Sequence, residues 1–476
     1  MQKRLHFRAF LSAAAAVCLL VVTACSGGGN ADSTTSTGTN SGEKSAEENI
    51  QLTLVIYNYE GARAEKEMAD WKELFPNIDV EVKLLPSESE YFTALDVSIA
   101  GNEKMDVILL DNDKAAQLGA QGVLVDLNTL AANDNHFDIV ENYGTVMEAA
   151  QVDGKYYYIP YNIDFDVLYY NKDMFDANGI DYPDETMTLS ELAEKAKRLT
   201  SGEGANKVYG FVWGYQSYNS LLRFIENDGW EWLKEDGSPN FDDPRVKDVF
   251  VTFKDLFDSG AVPSIATMQL EKMNNRLVFA QKKAAMIIRN WWTPVQWNMF
   301  RYNDKVIWQD GIDVNIGLDH IPRYEESTQP MMQNIKPGWG FGVSAKTEHP
   351  EAAWELVKYM TSTRYELAER LDIIPAYTKI SDEKFYTIYN EFQTQDGEVI
   401  KNMYPESIAV EHKAIKDELI PTSSQYDIDP VDAGILQALK DVVEREATEY
   451  FTGKIDIDTL IGRLQTESEK VISQMQ

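Results

Sequence analysis

The sequence predicts an α/β protein of two lobes, each built on a mostly parallel sheet flanked by helices. Three observations predict it. The chain has 476 residues, 44% of them hydrophobic, too many for one small core and enough for two large ones. Short apolar runs rich in β-branched residues alternate with stretches of helical spacing. The connections between them are short, as expected of crossovers in a doubly wound parallel sheet.

The elements follow in order. Leu52 to Tyr57 is a continuous apolar run and predicts a buried strand. Ala64 to Leu74 has helical spacing. Ile78, Val80, Val82 and Leu84 alternate with polar residues and predict a second strand. Tyr91 to Ala100 returns to helical spacing, Val107 to Leu110 is a short buried strand, and Asp113 to Gln121 a helix. Val167 to Asn171 and Tyr209 to Val212 predict further strands. Thr188 and Glu191 have capping-box spacing and open a helix over Leu189 to Leu199. Phe279 to Ile288 runs from helix through a lysine-containing turn into a strand. Gly338 to Ser344 is a glycine-punctuated strand. Pro350 sits where a helix begins, with Ala353, Leu356, Val357 and Met360 on its inner face. No internal repeat is present.

The amino terminus predicts export. Lys3, Arg4 and Arg8 precede an apolar run from Ala9 to Val22, interrupted only by Ser12. Such a run is short for a transmembrane helix, which needs roughly 20 residues, and fits a signal peptide. It ends in Val22-Thr23-Ala24-Cys25, which resembles a bacterial lipobox. Cleavage is expected after residue 24, with Cys25 carrying lipid. Cys18 is the only other cysteine and lies in the leader, so no disulfide or cysteine metal site is expected. Residues 26 to 49 are almost entirely small or polar and cannot support a core. They are expected to form a tether spanning roughly 27 Å.

Charge and missing motifs exclude several functions. Against 77 acidic residues stand 44 Lys and Arg. That balance repels nucleic acid, which is bound by neutralising phosphates. No phosphate-binding Gly-rich loop ending Lys-Ser/Thr, no Gly-x-Ser-x-Gly elbow and no HExxH motif occurs. His136, His320, His349 and His412 are scattered. Asp111-Asn112-Asp113 starts like a calcium loop but lacks its glycine and distal glutamate, and residues 133 to 138 fail likewise. No cofactor and no metal are expected.

Five stretches, in this order, carry a family resemblance: DVILLDNDKAAQLGAQGVLVDLNTL, VDGKYYYIPYNIDFDVLYYNKDMFDANGI, LSELAEKAKRLT, FAQKKAAMIIRNWW and GWGFGVSAKTEHPEAAWELVKYMTS. Together they resemble the extracellular solute-binding proteins of ABC transporters, in particular the sugar-binding branch. The resemblance runs from about Leu52 onward. It implies the type II periplasmic-binding-protein-like fold, with a ligand cleft between lobes joined by crossing segments. Residues 50–163 and 341–375 would form lobe 1, and 164–340 and 376–476 lobe 2. Crossings are expected near Tyr161 to Tyr169, near Trp339 to Ser344, and after the helix opened by Pro350. The implied protein is a monomeric, lipid-anchored, non-enzymatic binding subunit that hands a small solute to ABC permease subunits.

A sugar offers hydroxyl edges and C–H faces, so its site needs acceptors, strongest as carboxylates, and flat aromatic rings. Ligands of open α/β sheets lie beyond the carboxyl ends of strands. Glu60 and Asp111 occupy such ends, and Trp213 follows the strand of Tyr209 to Val212. The family resemblance adds Tyr161 and Asp164 at the first crossing, Trp291 and Trp292 after the strand ending at Ile288, and Trp339 between two glycines. Arg289 stands where the family usually has a small residue. These residues suit an oligosaccharide, with polyamines, peptides and glycerol-phosphate compounds as other solutes. A secreted glycoside hydrolase with paired carboxylates and a sugar-sensing surface module are the alternative functions.

Overall fold

In the computed structural model, residues 49–58, 61–86, 88–148, 150–302, 314–324, 336–368, 373–393, 399–401, 406–419 and 430–475 are described. The predicted leader, the tether with Cys25, and Glu60 lie outside them. The strands that matter for the site are β1 (Ile50–Tyr57), β2 (Ile78–Leu85), β3 (Val107–Leu110), β4 (Ile159–Pro160), β5 (Ile163–Asp164), β6 (Asp166–Asn171), β7 (Tyr209–Trp213), β8 (Ala284–Asn290), β9 (Ile316–Asp319), β10 (Lys336–Pro337) and β11 (Gly340–Val343). The helices are α1 (Gly61–Leu74), α2 (Glu88–Ala100), α3 (Asn112–Ala120), α4 (Leu189–Leu199), α5 (Pro244–Asp258), α6 (Asn275–Ala280), α7 (Pro350–Lys358), α8 (Glu406–Leu419), α9 (Pro430–Phe451) and α10 (Ile457–Met475).

The first sheet has the order β2-β1-β3-β11-β4, the second β9-β6-β8-β7. Leu52 to Tyr57 and all of β3 are buried, as their continuous apolar runs require. The β2 alternation fails at its end: Leu84 is 48% exposed and Leu85 is buried. The capping box forms as expected, with the Thr188 hydroxyl accepting from the Glu191 N–H and Glu191 accepting from the Thr188 N–H. Leu192, Ala196 and Leu199 of α4 then pack with Val249 and Phe253 of α5 in the core of the second sheet. Gly210 of β7 permits this, because a Cβ there would lie 1.7 Å from the Ala196 carbonyl oxygen. The other face of the second sheet is covered partly by α8. There His412, fully buried, pairs its Nε2 with the Tyr169 hydroxyl at 3.0 Å and its Nδ1 with the Ile408 carbonyl at 3.0 Å. Burial brings the imidazole down to about 3, so it is neutral.

The expectation of mostly parallel sheets is corrected. β1 runs parallel to β2 and β3, and β8 parallel to β7. β11, however, is antiparallel to β3 and β4, and β6 is antiparallel to β8 and β9. Both exceptions have one cause. β11 and β6 are fed by crossing segments, so each enters its sheet from the edge where the parallel strands end.

The crossings are tied to one another through the backbone. Tyr161 N–H donates to the Trp339 carbonyl at 2.8 Å, Gly338 N–H to Asn162 at 2.9 Å, and Ala376 N–H to Tyr161 at 3.2 Å. β5 pairs with β10, Lys336 opposite Asp164. The second crossing thus lies at residues 336–340, just before the predicted stretch, because residues 340–343 already belong to the first sheet. We propose that the lobe boundaries run through these three segments.

Gly338 is required where two crossings touch. A Cβ on it would stand 2.4 Å from Asn162 Oδ1 and 2.8 Å from the Asn162 carbonyl oxygen. Gly338→Ala should therefore destabilise the chain by about 1–3 kcal/mol in urea unfolding. Gly462→Ala, on α10 with nothing within 4 Å of its Cβ, should instead stabilise by up to about 1 kcal/mol.

Candidate functional site

The antiparallel crossing strands place the candidate residues. In the first sheet Leu110 pairs with Gly340. One step further along the same register, Asp111 lies opposite Trp339. In the second sheet Asn290 pairs with Asp166. The Trp291 N–H continues the ladder to the Phe165 carbonyl at 3.0 Å. Residues 291–292 then leave the strand in a turn, so Trp292 and Asp164 of β5 both lie near this end of the second sheet. The hinge end of each sheet therefore carries one candidate carboxylate and one candidate indole.

On the first sheet, Trp339 stacks on Phe92 with ring centroids 5.4 Å apart and planes at 20°. It also leans on Tyr57 at 5.3 Å and meets the edge of Tyr91 at 6.1 Å. Its indole remains partly exposed. Asp111 caps α3, its Oδ1 accepting from the Lys114 N–H at 2.8 Å. Burial pushes its carboxyl up to about 6, Asp113 adds to the rise, and the Lys114 N–H opposes it. Lys114 is ion-paired to Asp96 at 2.6 Å, lies 5.8 Å over the Phe92 ring, and its charge lowers the Asp111 carboxyl somewhat.

The second sheet carries a denser set of charges. The Arg223 guanidinium is ion-paired to Asp166, which also accepts the Tyr215 hydroxyl. Arg223 and Arg289 both lie over the Tyr215 ring, 4.3 and 4.5 Å from its centroid. Burial, then Asp166, raises the Tyr215 phenol above its usual range. Burial opposes the Arg223 charge, but Tyr215 and Asp166 outweigh it and keep the guanidinium protonated. Arg276 of α6 lies 4.3 Å over the Trp292 ring. Burial, and after it the Arg289 charge, brings Arg276 down to about 10, still cationic at neutral pH.

Of the candidates, Asp111 and Trp339 lie at the hinge end of the first sheet and Asp164 and Trp292 near that of the second. Three others are buried. Trp213 is 1% exposed among Phe224 and Phe253, with its Nε1 donating to Ser220 Oγ at 2.8 Å. Trp291 is also 1% exposed and donates to the Ile163 carbonyl at 2.8 Å. Tyr161 packs between Phe341 and the Arg364 guanidinium and is 5% exposed. All three side chains hold the hinge or the core, so the structure places them away from an open surface. Glu60 lies outside the described residues. Sequence reasoning missed Asp166, Tyr215, Arg223 and Arg276. Tyr215 could have been found, two residues past a strand. Arg276 had no signal, because a short helix carries it in from elsewhere.

Residues 58–366 match the family model described as bacterial extracellular solute-binding protein, and the chain belongs to that family. A probable ABC transporter-binding protein of Deinococcus radiodurans is 23% identical over 48% of this chain and 52% of its own length, so the match spans about half of that relative. The maltodextrin-binding protein MdxE of Bacillus subtilis is 25% identical over 64% of this chain and 70% of its own. Among solved structures, a sugar transporter of Rhizobium etli in an open conformation superposes with a TM-score of 0.67, 19% identical, covering 88% of this chain and 99% of the other. An ABC substrate-binding protein of Listeria monocytogenes in complex with cycloalternan gives 0.65 at 19% identity, covering 90% and 100%. The fold is the two-lobe binding-protein fold. Among the described residues, no helix is long and apolar enough to cross a membrane.

Asp111 gives the site a pH signature. Its folded-state value lies above that of an unfolded aspartate, so ionisation costs stability as pH rises from about 4 through 6. Asp111→Asn keeps a side-chain oxygen for the α3 cap. It should stabilise the chain by about 2–3 kcal/mol at pH 8 and by nothing at pH 3, read from urea unfolding at both.

Proposed function

We propose that this chain is the lipid-anchored binding subunit of an ABC importer that captures an oligosaccharide in the cleft between its lobes. The observation that carries the reading is the recurrence of one carboxylate and one indole at the hinge end of each sheet. Asp111 and Asp164 supply acceptors for sugar hydroxyls, and a hydroxyl bound to a carboxylate is held more strongly than in a neutral pair. Trp339 and Trp292 supply flat apolar faces for the C–H surface of a pyranose ring. The maltodextrin-binding relative and the cycloalternan-bound neighbour support a saccharide as the solute.

Capture follows from the hinge. The crossings are tied together, so the lobes can rotate about them as bodies without breaking either core. A saccharide touching both edges stabilises the closed arrangement over the open one, and the shifted population is what a permease can sense. Ionised Asp111 accepts hydrogen bonds from sugar hydroxyls more strongly than the neutral acid, so affinity should fall as pH drops below about 6. The lipobox at Val22 to Cys25 supplies the anchor and the polar stretch after it the tether.

Isothermal titration of the full chain in detergent with an oligosaccharide panel tests the reading. A bound sugar recovered unchanged supports capture, and a shortened product would establish a hydrolase instead. Trp339→Ala should weaken binding at least tenfold, with some loss of Tm because the indole also packs on Phe92, Tyr57 and Tyr91. Cys25→Ser should move the chain from the membrane fraction to the soluble one; retention in the membrane fraction would contradict the anchor.

A further inference from the structure

Among the described residues, two cations at the hinge end of the second sheet make no ion pair. Arg289 makes no ion pair among the described residues, and its buried Nε has no hydrogen-bond partner. Arg276 makes two hydrogen bonds, to Thr293 Oγ1 and Asn290 Oδ1, both long at 3.4 Å. Of the acids near them, Asp166 is occupied by Arg223 and Tyr215, and the Asp164 charge acts on Arg276 and Tyr215. A half-buried guanidinium without a counter-ion is costly. The cost is notable in a chain with 77 acids and 44 Lys and Arg, where partners abound elsewhere. Both groups belong to the cleft edge, Arg289 at the carboxyl end of β8 and Arg276 over the Trp292 ring.

We infer that the captured saccharide carries a carboxylate, which Arg276 and Arg289 bind beside the Trp292 ring. This inference rests on the saccharide-capture reading and narrows it to a uronic-acid type of sugar. The guanidinium fork matches a planar carboxylate in two parallel hydrogen bonds, which suits it better than a neutral hydroxyl edge. The protein's net negative field also requires a local cationic patch before an anionic solute can be held at all.

The test compares oligogalacturonates and oligomannuronates with their methyl esters, which keep the sugar and erase the charge, and with neutral maltodextrins and sulfated oligosaccharides. Binding is read by titration calorimetry on the full chain in detergent. The expected result is at least tenfold tighter binding of an acid than of its ester. Arg289→Gln and Arg276→Gln should each weaken the acid at least tenfold and leave the ester within about twofold. Tm measured without ligand separates this from misfolding: both variants should fold, with Tm close to that of the parent chain. Equal affinity for acid and ester, or tightest binding of a neutral maltodextrin, overturns the carboxylate while leaving saccharide capture standing. Tightest binding of a sulfated sugar overturns the carboxylate in favour of another anion. No binding of any saccharide overturns both readings.

Discussion

The backbone hydrogen bonds among the three crossing segments are the constraint on which everything else depends. They fix Trp339 against Tyr161, Gly338 against Asn162 and Ala376 against Tyr161. They also set the direction in which β11 and β6 enter their sheets. An antiparallel strand arriving from the hinge begins where its parallel neighbour ends. The residue before it therefore lands beside the residue after the neighbour. The hinge and the proposed site thus have one origin: the register that joins the lobes also brings a carboxylate and an indole to the hinge end of each sheet.

The two edges differ in electrostatics. At the first, a partly buried Asp111 stands with its carboxyl raised to about 6, near Lys114, which is itself ion-paired to Asp96. At the second, three guanidinium groups crowd two aromatic rings, and only Arg223 has an acid in contact. A neutral ligand would be served equally by two acidic edges. The cationic edge is what points to a charged solute, and it sits in a chain that is otherwise strongly acidic.

Much of the fold was legible in the sequence because local rules and tertiary packing agree there. The continuous apolar run of β3, the Thr188–Glu191 capping box and Pro350 at a helix start each state their structure directly. Sheet direction was not legible, since alternation reports burial and says nothing of which way a neighbour runs. The site was half legible. Acids and indoles at strand ends were visible as types, but the face each one takes depends on partners far along the chain. Trp213 and Trp292 look alike as sequence, yet one is enclosed by Phe224 and Phe253 and the other lies under Arg276. Arg276 was invisible for the same reason.

The central claim is capture by closure about the hinge. Small-angle X-ray scattering of the full chain in detergent, free and saturated with its oligosaccharide, tests it most directly. The account predicts a smaller radius of gyration and a shorter maximum dimension in the bound state. Identical scattering curves, with calorimetry on the same samples showing the sugar bound, would contradict it.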